Sequence, residues 1–259
     1  MTNDDLKEKI DATANMIIAS RKLVVFTGAG ISTESGIPDF RSPGGIWSRF
    51  DPDDFTIEKF LHSPETREKQ WHILIESGLI VNAKPNPAHL SIAELEKLNK
   101  LDCVITQNID NLHQEAGNSP EKVIELHGNM NFAVCTGCHE RYPMEDIVER
   151  LKKEAGVPDC EKCHGILKPD VILFGEALPE EALQKAINHS CNCDLFIAIG
   201  SSLAVFPAAY MPVHAKQGGA KLAIINIGST VYDNRADILI DGKAGEIMES
   251  IMNKVKEKL

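Results

Sequence analysis

Four cysteines stand in two pairs, Cys135 with Cys138 and Cys160 with Cys163, with two residues between the members of each pair. Four thiolates close a tetrahedral shell around zinc and leave no position for water, so the spacing implies a structural metal. His139 and His164 stand beside the pairs and are redundant once four thiolates are present. The remaining three of the seven cysteines, Cys103, Cys191 and Cys193, fall in or next to apolar segments and read as buried side chains. An odd total without a secretory leader favours an intracellular metal site over a disulfide framework.

A second group carries proton chemistry. His127 ends an apolar run and is followed by Gly128, which leaves room for a ligand; an imidazole there can titrate near neutrality and act as a general base. Alone, such a histidine is more often structural. Asn108 and Asp110, after another apolar run, offer an amide and a carboxylate able to orient a water, a ribose or a nicotinamide. Gly28-Ala29-Gly30-Ile31-Ser32-Thr33 follows a third run, as a strand-to-helix turn whose glycines let the backbone approach a pyrophosphate. The third glycine of the usual dinucleotide fingerprint is Thr33 here, and no strand ending in an acidic residue follows at the expected distance, which disfavours a hydride-transferring dehydrogenase.

The elements that must position these residues are short β-branched runs at 23–26, 103–105, 123–126, 171–174, 195–199, 222–225 and 238–240. They lack polar alternation, as strands buried on both faces of a parallel sheet do. Helical patterns in the first twenty residues and at 87–98, 180–191 and 244–255 lie before, between and after them, so the expected fold is α/β with a doubly wound, mostly parallel, Rossmann-like sheet. Gly28 to Gly30, Gln107 to Asp110, His127-Gly128, Gly175-Glu176, Ser201-Ser202 and Asn226-Ile227 each follow such a run, and ligands of open α/β sheets bind at the carboxyl ends of strands. Residues 130–168 interrupt the rhythm and carry both cysteine pairs, as an inserted small zinc-ribbon-type module. A second interruption, at about 38–83, reads as a loop followed by helices over the cleft. The larger unit is then 1–129 with 169–259.

The chain has 259 residues and a net charge of −11. That balance argues against the positive surface that nucleic-acid binding needs and suits a basic partner such as a lysine-rich peptide. No apolar run approaches the length of a membrane helix, so no membrane partner and a cytoplasmic location are expected. The sequence does not set the oligomeric state, and it is compatible with a monomer.

Together the motifs resemble the sirtuin family. Residues Gly28 to Arg41, including Gly36-Ile37-Pro38-Asp39-Phe40-Arg41, match its nucleotide loop; Thr106-Gln107-Asn108-Ile109-Asp110 matches its ribose and nicotinamide segment, and Leu126-His127-Gly128 its catalytic histidine. Phe174-Gly175-Glu176, Gly200-Ser201-Ser202-Leu203 and the cysteine pairs complete the set in the family's order. The resemblance implies an NAD-dependent protein-lysine deacylase with NAD as co-substrate and one structural zinc. Carried over residue by residue, Ala29, Gly30, Thr33 and Arg41 would face the diphosphate and ribose, Phe40 the nicotinamide region, Gln107 the ribose, and Ile109 with Asp110 the nicotinamide carboxamide. Ser201, Ser202, Asn226, Ile227 and Ala244 would hold the adenosine half. Phe174, Gly175, Glu176 and Val205 would lie on the two edges that sandwich an acetyl-lysine peptide by strand addition. The implied reaction has the acyl oxygen attack the ribose carbon that nicotinamide leaves, after which His127 deprotonates a ribose hydroxyl and water completes release of lysine and O-acyl-ADP-ribose.

The acyl group narrows further. Sirtuins that favour acidic acyl groups place Tyr and Arg three residues apart in the segment that here carries Trp71 and Leu74, so no cation is available for a succinyl carboxylate and neutral acyl groups are expected. Two other readings stand beside this one: a mono-ADP-ribosyltransferase cleaving the same nicotinamide bond, and a zinc-ribbon binding module on a scaffold without catalysis.

Overall fold

The apolar runs become strands because each has two hydrophobic layers to face. The computed structural model describes residues 3–76, 83–153, 156–157 and 159–259. Its strands are β1 (Leu23–Thr27), β2 (Leu101–Thr106), β3 (Val123–Glu125), β4 (Gly128–Cys135), β5 (Arg141–Pro143), β6 (Leu167–Val171), β7 (Leu195–Ile199), β8 (Lys221–Asn226) and β9 (Ile238–Asp241). Its helices are α1 (Asn3–Ala19), α2 (Ile57–His62), α3 (Pro64–Glu76), α4 (Pro87–Lys97), α5 (Leu112–Glu115), α6 (Met144–Lys153), α7 (Glu180–Asn192), α8 (Met211–Gln217) and α9 (Ala244–Lys258). Residues 77–82, within the insertion expected at 38–83, lie outside the described residues.

Six strands form a parallel sheet in the order β3-β2-β1-β7-β8-β9. Counting only these six, the order is 3-2-1-4-5-6, that of a doubly wound dinucleotide-binding sheet, with its switch point between β1 and β7. Leu23 and Val25 face α1, α4 and α9, whereas Val24 and Phe26 face α7 and α8. Both sets are buried, which is why the run shows no polar alternation. In β2 a register shift beside Asp102 sets Leu101 opposite Leu23 but Cys103 opposite Val24. The bulge returns Cys103 and Ile105 to the α7 side and Val104 to the α4 side.

A second, three-stranded antiparallel sheet in the order β5-β4-β6 packs with α2, α3 and α6 around Phe60, Trp71, Met130, Met144 and Ile147. This corrects the expectation for 171–174. Only Val171 belongs to a strand, that strand pairs antiparallel with β4, and Phe174 makes an isolated bridge to Thr56. Of the four apolar residues only Val171 and Leu173 are buried, in the core shared by the small sheet and the α2–α3 layer, while Ile172 is half-buried and Phe174 exposed, a difference that an unbroken apolar run does not show.

Candidate active site

The turn after β1 departs from expectation. Ala29–Ser35 form a 3-10 helix, which ends at Gly36 in the left-handed region with φ 89°. Within it Thr33 Oγ1 donates to Gly30 O at 2.9 Å, a side-chain bond that takes a backbone acceptor of the turn, and Pro38 follows closely. Gly30 and Gly200 make the crossing of β1 and β7 possible. Gly30 N–H donates to Gly200 O at 2.8 Å, a Cβ on Gly30 would lie 2.8 Å from that oxygen, and one on Gly200, at φ +62°, would lie 2.2 Å from Ile31 N.

Around this crossing the ends of β1, β2 and β7 are hydrogen-bonded together. Ser32 Oγ donates to Asp110 Oδ2 at 2.6 Å and accepts from Asn108 Nδ2 at 3.1 Å. Asn108 N–H in turn donates to Thr106 Oγ1 at 3.0 Å, and Leu112 N–H to Asp110 Oδ1 at 3.1 Å. Ser201 Oγ donates to Gln107 Oε1 at 2.8 Å. Arg41 Nη1 reaches Ser202 Oγ at 3.3 Å, which ties the nucleotide loop to the end of β7. Asn86, the N-cap of α4, donates to Ile31 O at 2.7 Å and Ser35 Oγ at 3.0 Å and so braces the 3-10 turn from beneath.

His127 sits half-buried between β3 and β4, with Nδ1 2.9 Å from Gln107 O. A carbonyl only accepts, so Nδ1 carries the hydrogen and the Nε2 lone pair of the neutral ring is left as a base. Burial holds this imidazole below its usual range, with the Gln107 carbonyl pulling the other way. His127 O accepts from Ile172 N–H at 2.9 Å, which joins the histidine to the segment before Phe174. Phe174, exposed by about half, stacks near Trp47, which also contacts Phe40 and Phe55. An aromatic wall thus links the loop after Pro38 to the 172–176 segment.

The cysteine pairs meet at one point. Cys135 Sγ and Cys163 Sγ are 3.4 Å apart and Cys138 Sγ and Cys160 Sγ 3.6 Å, near the roughly 3.8 Å edge of a tetrahedron with Zn–S bonds of about 2.3 Å. Gly137 N–H and Cys138 N–H point at Cys135 Sγ at 3.3 and 3.4 Å, and the Tyr142 hydroxyl 3.2 Å from Cys160 Sγ brings that thiol down to about 6. The four sulfurs fit a closed zinc shell that anchors β4 to the turn before β6. His139 and His164 instead occupy left-handed turns after each pair, their N–H groups donating to Cys135 O and Cys160 O. Asp102, Cys103 and His189 also approach one another, but His189 Nδ1 and Asp102 Oδ2, 2.6 Å apart, satisfy each other, and burial drives the Cys103 thiol far up, which disfavours a thiolate ligand.

The family model described as the Sir2 family matches residues 28–207. The chain belongs to the Sir2 family. Its Sir2 relatives include an NAD-dependent protein deacetylase 1 of Pyrobaculum aerophilum, 46% identical with 100% of both chains covered. An NAD-dependent protein deacylase 2 of Archaeoglobus fulgidus is 44% identical over 97% of this chain and 98% of its own. Among solved structures, a Sir2 enzyme from work on Sir2 mechanism and regulation superposes with a TM-score of 0.87 at 43% identity, covering 98% of this chain and 100% of that one. A Sir2 complex with a p53 peptide and NAD+ gives 0.87 at 38% identity, covering 95% and 98%.

Within this Sir2 frame, the residues singled out by sequence are distributed unevenly. Ala29, Gly30, Thr33, Gln107, Asn108, Asp110, His127, Ser201 and Ser202 lie at or just past the carboxyl ends of β1, β2, β3 and β7, and Arg41 reaches them from the loop through Ser202. Ile109 packs against the small-sheet core, and its carbonyl accepts from Met130 N–H at 2.9 Å. The Asn226 side chain donates to Ile227 O and Gly228 O, Ile227 is exposed, and Ala244 is buried at the start of α9, where Glu34 Oε2 takes the next amide, Gly245 N–H, at 2.6 Å. Val205 lies in a turn, its carbonyl accepting from Ala209 N–H at 2.9 Å, rather than in a strand edge. Sequence reading passed over Ser32, the hinge of the Asn108–Asp110 network, and Asn86. An Asn directly before a Pro and an apolar periodic run is an N-cap signal and marks Asn86; nothing local marks Ser32.

Proposed function

We propose that this Sir2-family chain is an NAD-dependent protein-lysine deacetylase that transfers the acetyl group to ADP-ribose and releases nicotinamide, free lysine and O-acetyl-ADP-ribose. One observation carries the reading: a chain 46% identical along its whole length to an NAD-dependent protein deacetylase holds His127 in the tautomer that leaves Nε2 basic, beside the Asn108–Ser32–Asp110 network. A Sir2 structure with a deacetylated p53 peptide and 3′-O-acetyl-ADP-ribose, 39% identical with a TM-score of 0.88 and covering 95% of this chain and 98% of its own, supports the product.

NAD supplies the ribosyl electrophile when bound. The chain does the rest. Ala29, Gly30, Thr33 and Arg41 line the side for the diphosphate, Phe40 the nicotinamide region, and Gln107 the ribose; Ile109 and Asp110 serve the carboxamide, and Ser201, Ser202, Asn226, Ile227 and Ala244 the adenosine half. Asn108, fixed by Ser32, orients polar groups over the β2 end, and His127 Nε2 takes the hydroxyl proton. Cys135, Cys138, Cys160 and Cys163 hold zinc as architecture. Residues 1–129 and 169–259 are assigned to the NAD-binding unit and 130–168 to the zinc module, although the module's small sheet reaches outward to Gly128 and Val171.

Phe174, Gly175, Glu176 and Val205 line the peptide cleft, and the partner is an acetyl-lysine protein rather than a specific nucleic-acid sequence. Neutral acyl groups are preferred. Trp71 is 1% exposed and offers an indole N–H but no cation; Leu74 lies in α3, its side chain outside the described residues. A Sir2 structure with a propionylated peptide, 39% identical with a TM-score of 0.84, agrees with a neutral acyl pocket. Among the described residues no helix is long and apolar enough to cross a membrane, and the cytoplasm is the proposed site of action.

The test is product mass spectrometry with an acetyl-lysine peptide and NAD. Nicotinamide and O-acetyl-ADP-ribose in equal amounts support the deacetylase, whereas ADP-ribosylated protein without acetyl loss establishes the transferase instead. Succinyl-peptide turnover equal to acetyl-peptide turnover would remove the neutral-acyl preference.

A further inference from the structure

Lys168 is buried where a lysine is costly. Its side chain is 6% exposed, on β6 between the core residues Leu167 and Val171. Transfer of an ammonium out of water is unfavourable unless it is paired and hydrogen-bonded, and an apolar side chain of the same length would often be more stable. The ammonium has two partners: Nζ donates to Val171 O at 2.5 Å and to Glu176 Oε2 at 2.9 Å. The same carboxylate oxygen accepts from Leu173 N–H at 3.0 Å, and Glu176 N–H donates to Leu173 O at 3.0 Å. One ammonium and one carboxylate therefore close the turn from β6 to Glu176 on itself.

That turn is a junction. Its Ile172 N–H bonds His127 O, its Phe174 N–H bonds Phe55 O, and its Phe174 O accepts from Ile57 N–H. Phe174's own main-chain groups are thus engaged by the segment leading into α2. Gly175, at φ +82°, is the next residue, and no hydrogen bond to its main chain occurs among the described residues. The peptide-facing edge is fixed in shape by its internal ties.

We propose that Lys168 is a positioning residue for the acyl-peptide cleft, acting through Glu176 to hold the 172–176 turn, and that the Glu176 carboxylate serves this turn and does not read substrate charge. The inference rests on the deacetylase reading for its kinetic test, but the brace itself has an independent readout.

The experiment compares full-length wild type, Lys168→Met, Glu176→Gln and the double variant, each with zinc bound. KM for acetyl-peptide and for NAD, and kcat, are measured with acetyl-lysine peptides flanked by basic, neutral or acidic residues, alongside amide hydrogen exchange across 172–176. Both single variants should raise peptide KM by about tenfold with kcat and the KM for NAD within about twofold. The increase should be the same for all three peptides. The double variant should be no worse than the poorer single one, as expected for residues acting as one unit. Exchange at Leu173 should quicken in each. Glu176→Gln carries the test if Lys168→Met does not fold. An increase in KM confined to basic peptides in Glu176→Gln overturns the proposal, because the carboxylate then reads the substrate. Unchanged peptide KM with unchanged exchange overturns it as well. A wild type that does not deacetylate sinks the functional reading alone; the exchange comparison still decides the brace.

Discussion

His127 illustrates what a residue's surroundings add to its type. The sequence marks it as a candidate base because a glycine follows it and polar groups end the neighbouring run, but its tautomer depends on Gln107 O, twenty residues away in the chain. Its titration also moves. A free imidazole suggests loss of activity below about pH 6 to 7; burial lowers the value, so the neutral base persists further into acid. The acid limb of kcat/KM, which reports the free enzyme, should therefore have its midpoint below 6.5, and a midpoint at or above 6.5 would contradict the burial argument. Ser32 makes the complementary point. Serine after a glycine pair reads as a turn residue, and only the fold sets its hydroxyl between Asn108 and Asp110. Ser32→Ala should leave Asp110 Oδ2 and Asn108 Nδ2 without that partner and raise the KM for NAD by about tenfold, the effect of losing a hydrogen bond to a charged group. An unchanged KM for NAD and unchanged nicotinamide inhibition would remove the network from cofactor binding.

At the scale of elements, the six strands of the parallel sheet and helices α1, α4, α7 and α9 were legible because burial on one or two sides imposes a period, whereas β4 and β5 of the small sheet were not read as strands. The strand at 123–126 and the helices at 87–98 and 180–191 appear at β3, α4 and α7 within a residue or two. What periodicity does not carry is the identity of the second surface. For this reason 171–174 read as a parallel strand although only Val171 and Leu173 enter the core of the small sheet and the α2–α3 layer, and Phe174 is exposed. Nor could it carry the conformation after Gly28, where Thr33 Oγ1 takes Gly30 O and the 3-10 turn ends at the left-handed Gly36. The β1–β7 crossing gives a sharp test at this scale. Gly200→Ala adds a Cβ 2.2 Å from Ile31 N at a left-handed residue. Overpacking and left-handed strain together should cost about 2 to 4 kcal/mol. Thermal unfolding should show a melting temperature lower by roughly 5 to 15 °C; a variant as stable as wild type would mean that the crossing is loose.

Across the whole molecule, two buried histidines couple stability to pH. Burial takes His89 down to about 4, opposed by Asp110, and holds His113 well below its ordinary value, with His89 adding to the effect; their rings lie 5.1 Å apart. Both stay neutral in the fold, so the unfolded chain takes up protons first. Their contribution is complete above the unfolded value of about 6.5 and is lost as pH falls toward 4. Asp237, held down to about 2 mainly by the Leu222 amide and Lys216 against the opposing effect of burial, loses its contribution only at lower pH. The melting temperature should thus decline between pH 6.5 and 4.5, before carboxylate protonation dominates; a flat profile there would contradict the burial of the pair. The four cysteines were legible as a zinc site from spacing alone, and chelation should lower the melting temperature while any enzyme that keeps its zinc retains its activity per molecule. The central claim joins NAD chemistry to one base, so its most direct measurement is NAD-dependent turnover of an acetyl-lysine peptide by wild type and by zinc-loaded, folded His127→Ala. Wild type should release nicotinamide and deacetylated peptide together, and the variant should be slower by about 10²- to 10⁴-fold. Equal turnover by the two proteins would contradict the account.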